Sequence, residues 1–435
     1  MYPLYKLFKF IFCTLLLINS ILCFEPTGRR LHNSVIIEDR LLIFNGNTNA
    51  TEYTSELFYL DLSKPFDNNN LTWILIPEGI LPVYTWRSTA VLSLDNSTIY
   101  LIGGYMTNKD TYDYDYSNLV YTYNYSTSTW SIPKLGGDEV PPIQDTKGVI
   151  DNSGLIYIFG GYNATDLINN SGSLFNTMNI LDTVPNTWTT LSISKNVPFR
   201  CSHYTANILP NGIIVYIGGI EKVDNVVGFS LVNMNEIKLF NTNTYEWSQM
   251  NATGDEIDPR WYFSSVLTPD GYIIIFGGST YEIIASVSPK LAILDTNKDP
   301  FEWSTQSKSE LNSPPSIYGH AANLYNDYMI ITFGFVIDTN SYASQVYLYN
   351  IKSKKWVTTF IPPDKKTTTT TTPSTTGAFN PIKTPTKKSS KSLAIGLGIG
   401  IGAAFLISCI FITIFIVRKR NSVIIQIPGS HRLSS

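Results

Sequence analysis

Cysteine is scarce in this 435-residue chain, and three of its four cysteines, Cys13, Cys23 and Cys409, lie in apolar terminal stretches. Cys201 is therefore alone in the middle of the chain, which excludes a disulfide there. A domain without cystines outside the cytoplasm needs a large hydrophobic core instead. A single cysteine beside the start of a strand is usually a small buried hydrophobe, and we expect that of Cys201.

Charge is also sparse, since only 15% of the residues are Asp, Glu, Lys or Arg. Residues 24–361 hold 19 Lys and Arg against 33 Asp and Glu, a balance of −14. This acidity excludes nucleic acid as the expected partner, because such binding neutralises phosphates with basic side chains. The chain also lacks a phosphate loop, a Cys-x-x-Cys pair, a His-Glu-x-x-His motif and a nucleophile elbow. No catalytic residue, cofactor or metal site is predicted.

Long apolar runs occur only near the two ends. Lys6 and Lys9 precede the first run, which predicts a secretory signal peptide over residues 1–23. Leu393 to Val417 is an uncharged stretch long enough to cross a bilayer as an α-helix, and basic residues follow it directly. The expected arrangement is a single-pass type I membrane protein. A short cytoplasmic tail over residues 418–435 follows the helix.

Residues 362–392 are rich in threonine, proline and lysine, with an unbroken threonine run from Thr367 to Thr372. Such a composition cannot bury a core, so we expect a disordered stalk. Two Gly-x-x-x-Gly pairs, Gly396/Gly400 and Gly398/Gly402, lie within the predicted membrane helix. This spacing lets helix backbones approach closely and makes a dimer through Gly396 and Gly400 a possibility to test.

Asparagine in the pattern Asn-x-Ser/Thr occurs seven times, always between the two apolar runs. These candidate N-glycosylation sites are Asn49, Asn70, Asn96, Asn124, Asn163, Asn169 and Asn251. They agree with export of the region between the apolar runs.

That region repeats. An apolar strand ending in a glycine slot recurs six times, with the first slot position at Asn45, Gly103, Gly160, Gly218, Gly277 and Gly334. Complete diglycines occupy four slots: Gly103 and Gly104, Gly160 and Gly161, Gly218 and Gly219, Gly277 and Gly278. A tryptophan follows every slot on an outer strand: Trp73, Trp130, Trp188, Trp247, Trp303 and Trp356.

A third marker precedes the glycines. Arginine occupies it in four units, at Arg29, Arg87, Arg200 and Arg260, while Asp145 and Ile317 stand there in the other two. The pattern assigns His32, His203 and His320 to one shared position three residues further on. Each unit predicts four strands, and a four-stranded sheet repeated radially is the blade of a β-propeller.

The diglycines, the alternating strand and the tryptophan at fixed phase resemble the Kelch repeat over residues 29–361. The first and last units depart from it, with Asn45-Gly46 and Gly334-Phe335 in the glycine slot. The expected fold is all-β: one six-bladed Kelch-type propeller over residues 24–361, plus one C-terminal transmembrane α-helix over residues 393–417.

The resemblance favours binding over catalysis. We expect a membrane-anchored protein at the cell surface or in a secretory compartment that recognises a protein or glycan. A tyrosine-dense loop with Tyr105, Tyr112, Tyr114 and Tyr116 is the candidate partner-binding loop. Two alternatives stay open: a homophilic adhesion protein, and a copper radical oxidase similar to galactose oxidase. The oxidase is disfavoured because His32, His203 and His320 fall on one repeat position, as structural residues would.

Overall fold

The computed structural model describes residues 24–49, 52–166, 171–224, 228–305 and 311–363. The predicted signal peptide, membrane helix and tail, nearly all of the stalk, and the sequon at Asn169 lie outside these ranges. Within them, no helix is both long and apolar enough to cross a membrane. The one helix described is a single 3₁₀ turn, Pro77–Gly79.

The described part of the chain forms six main sheets, largely antiparallel, which we call blades 1 to 6, with smaller sheets of two or three strands beside them. The first two contain these strands: β1 (Asn33–Ile37), β2 (Arg40–Phe44), β3 (Leu57–Asp61), β4 (Phe66–Asp67) and β5 (Trp73–Leu75) in blade 1, then β6 (Tyr84–Trp86), β7 (Thr89–Leu92), β8 (Thr98–Ile102), β9 (Tyr105–Thr107), β10 (Val120–Asn124) and β11 (Thr129–Ser131) in blade 2. The sheet orders are β1-β2-β3-β5 and β7-β8-β10-β11, with β6 and β9 forming a separate pair.

Blades 3 and 4 follow the same plan. Their strands are β12 (Gly136–Gly137), β13 (Val149–Ile150), β14 (Leu155–Phe159), β15 (Tyr162–Asp166), β16 (Ser171–Leu174), β17 (Met178–Asp182) and β18 (Thr187–Leu191), then β19 (Arg200–Ser202), β20 (Thr205–Ile208), β21 (Ile213–Ile217), β22 (Ile220–Lys222), β23 (Ser230–Leu231), β24 (Glu236–Asn241) and β25 (Glu246–Asn251). The main sheets run β13-β14-β17-β18-β12 and β20-β21-β24-β25.

Blades 5 and 6 complete the set. Their strands are β26 (Thr253–Gly254), β27 (Ser264–Leu267), β28 (Tyr272–Phe276), β29 (Leu291–Asp295) and β30 (Glu302–Thr305), then β31 (Ile317–Tyr318), β32 (Ala321–Tyr325), β33 (Tyr328–Val336), β34 (Ser341–Asn350), β35 (Lys355–Val357) and β36 (Thr359–Phe360). Blade 5 runs β27-β28-β29-β30-β26, and β32 pairs with β33 at the inner side of blade 6.

The innermost strands β1, β7, β13, β20, β27 and β32 contact one another in turn and close a ring around a central channel. Blade 6 meets blade 1 through a shared core that contains Phe58, Trp73, Ile330 and Phe333. The last strand, β36, pairs with β4 of blade 1, and Phe360 stacks on Phe66 with ring centroids 4.8 Å apart. Blade 1 therefore holds the C-terminal end of the described chain, although no main strand is shared between the two blades.

Aromatic residues fill the spaces between blades. Each repeat tryptophan lies on the outer main strand of its blade, and all are buried except the half-buried Trp130. Three of them contact the phenylalanine that precedes the glycine slot of the blade before: Phe44–Trp130 at 5.7 Å, Phe159–Trp247 at 4.4 Å and Phe276–Trp356 at 5.1 Å. Trp73 of blade 1 contacts Phe333 of blade 6 at 5.6 Å. A flat blade has no core of its own, so these contacts between blades supply it.

The glycine slots bring successive blades into close contact. Gly103 has φ +65°, and a Cβ there would lie 2.3 Å from the Ile143 carbonyl oxygen of the next blade. Left-handed φ values mark the same two positions in all six blades, and in blade 6 they fall on Phe333 (φ 56°) and Gly334 (φ 105°). The expected slot Gly334-Phe335 is therefore wrong by one residue. The sequence pattern placed Gly334 in the first slot position because that position is glycine in the four complete diglycines. In the structure Phe333 takes the first left-handed position and packs on Trp73.

Candidate functional site at the channel mouth

The second residue of each glycine slot donates its backbone N–H to a carbonyl of the next blade. The acceptors are Thr85, Ile143, Cys201, Arg260, Ile317 and Arg29. These bonds define equivalent positions in the six blades without reference to residue type. Because the six acceptor residues are structurally equivalent, the residues that follow them along the chain can be compared between blades.

Two residues after each acceptor stands one residue in the left-handed conformation, with φ between 53° and 65°. The six are Leu31, Arg87, Asp145, His203, Tyr262 and Gly319, which we call the mouth ring. Their peptide groups are linked around the channel, for example Asp145 N–H to the Arg87 carbonyl at 2.9 Å and His203 N–H to the Asp145 carbonyl at 2.8 Å. Non-glycine residues in this conformation are strained and concentrate at functional sites.

The mouth ring corrects two expectations about repeat positions. Arg29 and Arg260 are equivalent acceptor residues, whereas Arg87 belongs to the ring and Arg200 is an exposed residue that precedes the acceptor Cys201. His32 and His320 directly follow ring residues, but His203 is a ring residue itself. The shared histidine position is therefore wrong for His203. The turn after the inner strand has two residues in blade 1 and four in blade 4. Counting residues back from the glycine slot therefore does not reach equivalent positions in the two blades.

The guanidinium groups of Arg29 and Arg260 have a structural role. Both side chains are fully buried and donate to carbonyl oxygens of their own glycine slots, Asn45 at 3.3 Å and Gly277 at 3.1 Å. Arg29 also forms an ion pair with Glu56 at 2.8 Å. These bonds satisfy carbonyls at strand ends that would otherwise be buried without a partner.

Three ring residues form a buried ionic network. Asp145 Oδ2 lies 3.2 Å from Arg87 Nη1 and 3.1 Å from His203 Nε2. Burial would raise the pKa of Asp145, but the positive charge of Arg87, with the imidazole of His203 beside the carboxylate, outweighs burial and holds this pKa below its usual value. Burial lowers the pKa of His203 despite the carboxylate beside it. At neutral pH the network therefore holds a charged Arg87, a charged Asp145 and a neutral His203.

Below the ring, the channel widens into a cavity of about 150 Å³. Hydroxyl and imidazole groups form much of its wall, with Ser264 bonded to His320 Nε2 at 2.7 Å. Lys147 also lines it, and its side chain is accessible in the cavity yet enclosed by protein. This enclosure desolvates the ammonium group and lowers the pKa of Lys147.

Aromatic side chains cluster beside the mouth ring in blades 1 and 2. Tyr53 stacks on Trp86 with centroids 3.8 Å apart and planes 5° apart, and Trp86 lies 5.2 Å from Tyr105. The predicted partner-binding loop continues this surface. Tyr105 is buried in β9 and Tyr116 is half-buried, while Tyr112 and Tyr114 are 65% and 47% exposed. The structure therefore places the four predicted tyrosines at the mouth, with two of them available to a partner.

Arg30 stands at the same rim, directly before the ring residue Leu31. Its guanidinium carbon lies 5.1 to 5.5 Å from the ring centroids of Tyr318, Phe335 and Tyr342. It donates to Asn47 Oδ1 at 3.3 Å and to the Tyr318 hydroxyl. Within the described ranges, no carboxylate lies within ion-pair distance of Arg30. This cation is held by aromatic faces and is not neutralised.

Among the described residues, no group of three or more His, Cys, Asp or Glu side chains is close enough to hold a metal ion. Cys201 belongs to the core between blades 3 and 4, where burial raises its pKa to about 12. His32 is hydrogen-bonded to Thr332 and His320 to Ser264. His203 is hydrogen-bonded through Nδ1 to Ser202 Oγ, and its Nε2 lies 3.1 Å from Asp145 Oδ2.

The described sequons fall on both faces of the ring. Asn96 and Asn124 occupy exposed turns of blade 2 at the strand ends away from the mouth. Asn70 is exposed between β4 and β5, and Asn251 is exposed at the end of β25. Asn49 and Asn163 are half-buried on the mouth side. Four of the six described sequons therefore offer an exposed side chain.

Six sheets of four or five strands, closed around a polar channel, define a β-propeller. The chain matches the KLHDC2/KLHL20/DRC7 Kelch-repeats domain over residues 19–219 and 211–378, and it belongs to that family. The Kelch resemblance seen in the sequence is thereby confirmed.

Several curated proteins share this similarity at low identity. The Arabidopsis thaliana acyl-CoA-binding domain-containing protein 5 is 24% identical over 71% of this chain and 44% of its own length. The Rattus norvegicus Kelch domain-containing protein 3 is 26% identical over 58% of this chain and 65% of its own length. The chain thus spans less than two thirds of these relatives. The solved structure of YjhT covers 78% of this chain and 99% of its own, with a TM-score of 0.57 and 12% identity, which shows the fold alone.

Proposed function

We propose that this chain is a membrane-anchored recognition protein whose propeller faces away from the cytoplasm and binds a protein or glycan at the channel mouth, without catalysis. The observation that carries the proposal is the mouth itself: strained ring residues, a buried ionic network and exposed tyrosines meet at one end of the channel. Tyrosine and arginine are the residue types that dominate binding energy at recognition surfaces.

The anchoring part of the proposal is supported by the sequence. An apolar N-terminal run, an uncharged stretch from Leu393 to Val417 and seven sequons between them describe a type I glycoprotein. Two of the four exposed sequons, Asn96 and Asn124, lie at the face opposite the mouth, so glycans at these two would leave the mouth open. A dimer through Gly396 and Gly400 in the membrane would present two mouths together.

Replacing Asn96 and Asn124 by Gln is expected to remove two glycans from the full chain. The measurement is electrophoretic mobility of the membrane-extracted protein before and after treatment with peptide N-glycosidase. Wild type should shift on treatment, and the double variant should shift less. Asn243→Gln, an exposed asparagine on the same face outside any sequon, is the matched control. A wild-type chain whose mobility does not respond to the enzyme would contradict the exported topology.

Replacing Tyr112 and Tyr114 by Ala is expected to weaken partner binding at least about tenfold, because truncating a central aromatic contact costs more than about 1 kcal/mol. The full chain, kept in detergent, would be applied to arrays of glycans and of cell-surface proteins, and its partners titrated. Tyr245→Ala is the matched control, since Tyr245 is 42% exposed in a turn on the opposite face. Equal loss in both variants, or no partner in either array, would refute recognition at the mouth.

A further inference from the structure

We propose that the mouth loop, residues 108–119 between β9 and β10, binds a basic peptide segment of the partner, whose lysine or arginine side chains lie against Tyr112 and Tyr114 and beside Asp110 and Asp113. This inference rests on the proposed function and specifies the chemistry of the partner at that surface. It depends on exposed rings, on carboxylates without ion pairs, and on a lysine of the loop that already lies over a tyrosine ring.

The mouth loop presents two tyrosine rings to solvent. Tyr112 is 65% exposed and Tyr114 is 47% exposed. Tyr112 stacks on Tyr84 with ring centroids 5.9 Å apart, and Tyr114 stacks on Tyr116 at 6.2 Å with planes 8° apart. Each exposed ring is therefore held in place by a second ring. The face of an aromatic ring is electron-rich and attracts a cation, so these two rings offer places for lysine or arginine side chains.

Carboxylates alternate with the rings along the mouth loop. Asp110 and Asp113 are exposed, and neither forms an ion pair with another described residue. Asp115 accepts two hydrogen bonds from Ser117, which hold the pKa of its carboxyl below the usual value and keep it ionised. With three aspartates against the single Lys109, the loop is negatively charged.

A lysine of the loop shows how this surface receives a cation. Lys109 Nζ lies 5.7 Å from the centroid of the Tyr84 ring, within the range of cation–π attraction. Among the described residues, no Lys or Arg lies over the ring of Tyr112 or Tyr114. A flexible stem lets a lysine or arginine place its charge over a ring, whereas the amino group of an aminosugar is fixed to its own ring. A basic peptide is therefore favoured over a cationic glycan.

The other charges of the domain agree with a basic partner. Residues 24–361 have a balance of −14, which attracts basic segments and repels acidic ones. Two further cations stand near the mouth, but Arg87 is paired with Asp145, and Arg30 is held among three aromatic rings where blades 1 and 6 meet. The carboxylates of the mouth loop are therefore left to a partner.

Hydrogen bonds within the mouth loop fix its conformation. The Asn108 carbonyl accepts the backbone N–H of Tyr112 at 3.0 Å, and the Asn108 side chain accepts that of Asp110 at 2.8 Å. The N–H of Asp115 donates to the Met106 carbonyl at 3.0 Å. A surface that is ordered before binding loses little conformational entropy when a partner arrives.

The experiment is calorimetric titration of the full chain in detergent with a peptide of alternating lysine and glycine, capped at both ends so that only its side chains are charged. The comparison probes are the same peptide with acetylated lysines and a glucosamine oligomer. We expect the lysine peptide to bind more weakly as salt rises, and the acetylated peptide to bind at least about tenfold more weakly. Equal binding of the acetylated peptide would overturn the role of charge, and equal binding of the glucosamine oligomer would overturn the peptide assignment.

The double variant Asp110→Asn, Asp113→Asn is expected to bind the lysine peptide about fivefold more weakly or worse, because it removes two ion pairs. The matched control is Asp270→Asn with Glu246→Gln, which removes the same charge from exposed positions on the opposite face and should retain affinity. Equal losses would ascribe the effect to overall charge and overturn the inference. If the lysine peptide does not bind while the Tyr112 and Tyr114 variant still loses its array partner, this inference fails and the proposed function stands.

Discussion

Acidification from pH 7 to pH 5 is expected to reduce the free energy of unfolding of the propeller by at least about 2 kcal/mol, over a range in which most carboxylates remain ionised. Three buried histidines contribute to this loss: His32, His203 and His320, which are 6 to 8% exposed. Burial lowers the pKa of all three, for His320 to about 3. The positive charge of Arg29 and the neighbouring His320 lower that of His32 further.

The direction follows from proton uptake in the two states. In the unfolded chain each histidine binds a proton near pH 6.5, whereas the folded chain binds it only at lower pH. Below pH 6.5 the unfolded state therefore binds more protons, and stability falls as the pH falls. A histidine still neutral at pH 5 contributes a loss of about 2 kcal/mol, which is the contribution expected of His320. His32 adds a loss of the same sign, because burial also lowers its pKa. His203 adds a smaller loss of the same sign, because Asp145 partly favours its charged form.

Urea unfolding of the full chain at pH 7, 6 and 5, followed by tryptophan fluorescence, measures the effect. The double variant His32→Gln, His320→Gln is the diagnostic control. This variant is expected to be less stable than wild type at pH 7, because it loses the hydrogen bonds of the two imidazoles with Thr332 and Ser264. Its free energy of unfolding is expected to change little between pH 7 and pH 5. An unfolding midpoint of the wild type that does not change over this range would contradict neutral buried imidazoles.

The sequence alone predicted the repeat, its strand order and the positions of the tryptophans, because these depend on local patterns. Alternation along LAILD over 291–295 and the glycines after IIIF over 273–276 are visible in any single unit. The Kelch family follows from the same residues. Six recurrences of one pattern supply the redundancy that a single motif lacks.

The channel mouth could not be predicted in this way. Its six ring residues share a left-handed backbone and no side-chain type: Leu31, Arg87, Asp145, His203, Tyr262 and Gly319. Only a comparison through backbone hydrogen bonds shows that they are equivalent. Turns of different length after the inner strands then shifted Arg87 and His203 into the wrong repeat positions. The tyrosine-dense loop was found because its composition is unusual, whereas Arg30 carries no local signal and is recognisable only from the three rings around it.

Replacing Trp303 by Ala is expected to reduce the free energy of unfolding by about 4 kcal/mol. Trp303 is 1% exposed in the core between blades 4 and 5, and its indole N–H donates to the Met234 carbonyl at 2.9 Å. The substitution leaves a large cavity that the β-sheets cannot close, because each sheet is fixed by its own strand pairing. It also leaves a buried carbonyl without its indole donor. Chemical denaturation of the full chain measures the change.

Trp130→Ala is the matched control, since Trp130 occupies the equivalent place in blade 2 and donates to the Gly79 carbonyl at 2.8 Å but is only half-buried. A loss of about 1–2 kcal/mol is expected there. Equal losses in the two variants would contradict the idea that burial between blades provides the stability. Each blade is covered only by its neighbours, so opening the interface of blades 4 and 5 removes the support of both. We therefore expect Trp303→Ala to unfold all six blades in a single transition at lower denaturant, instead of releasing blade 5 alone.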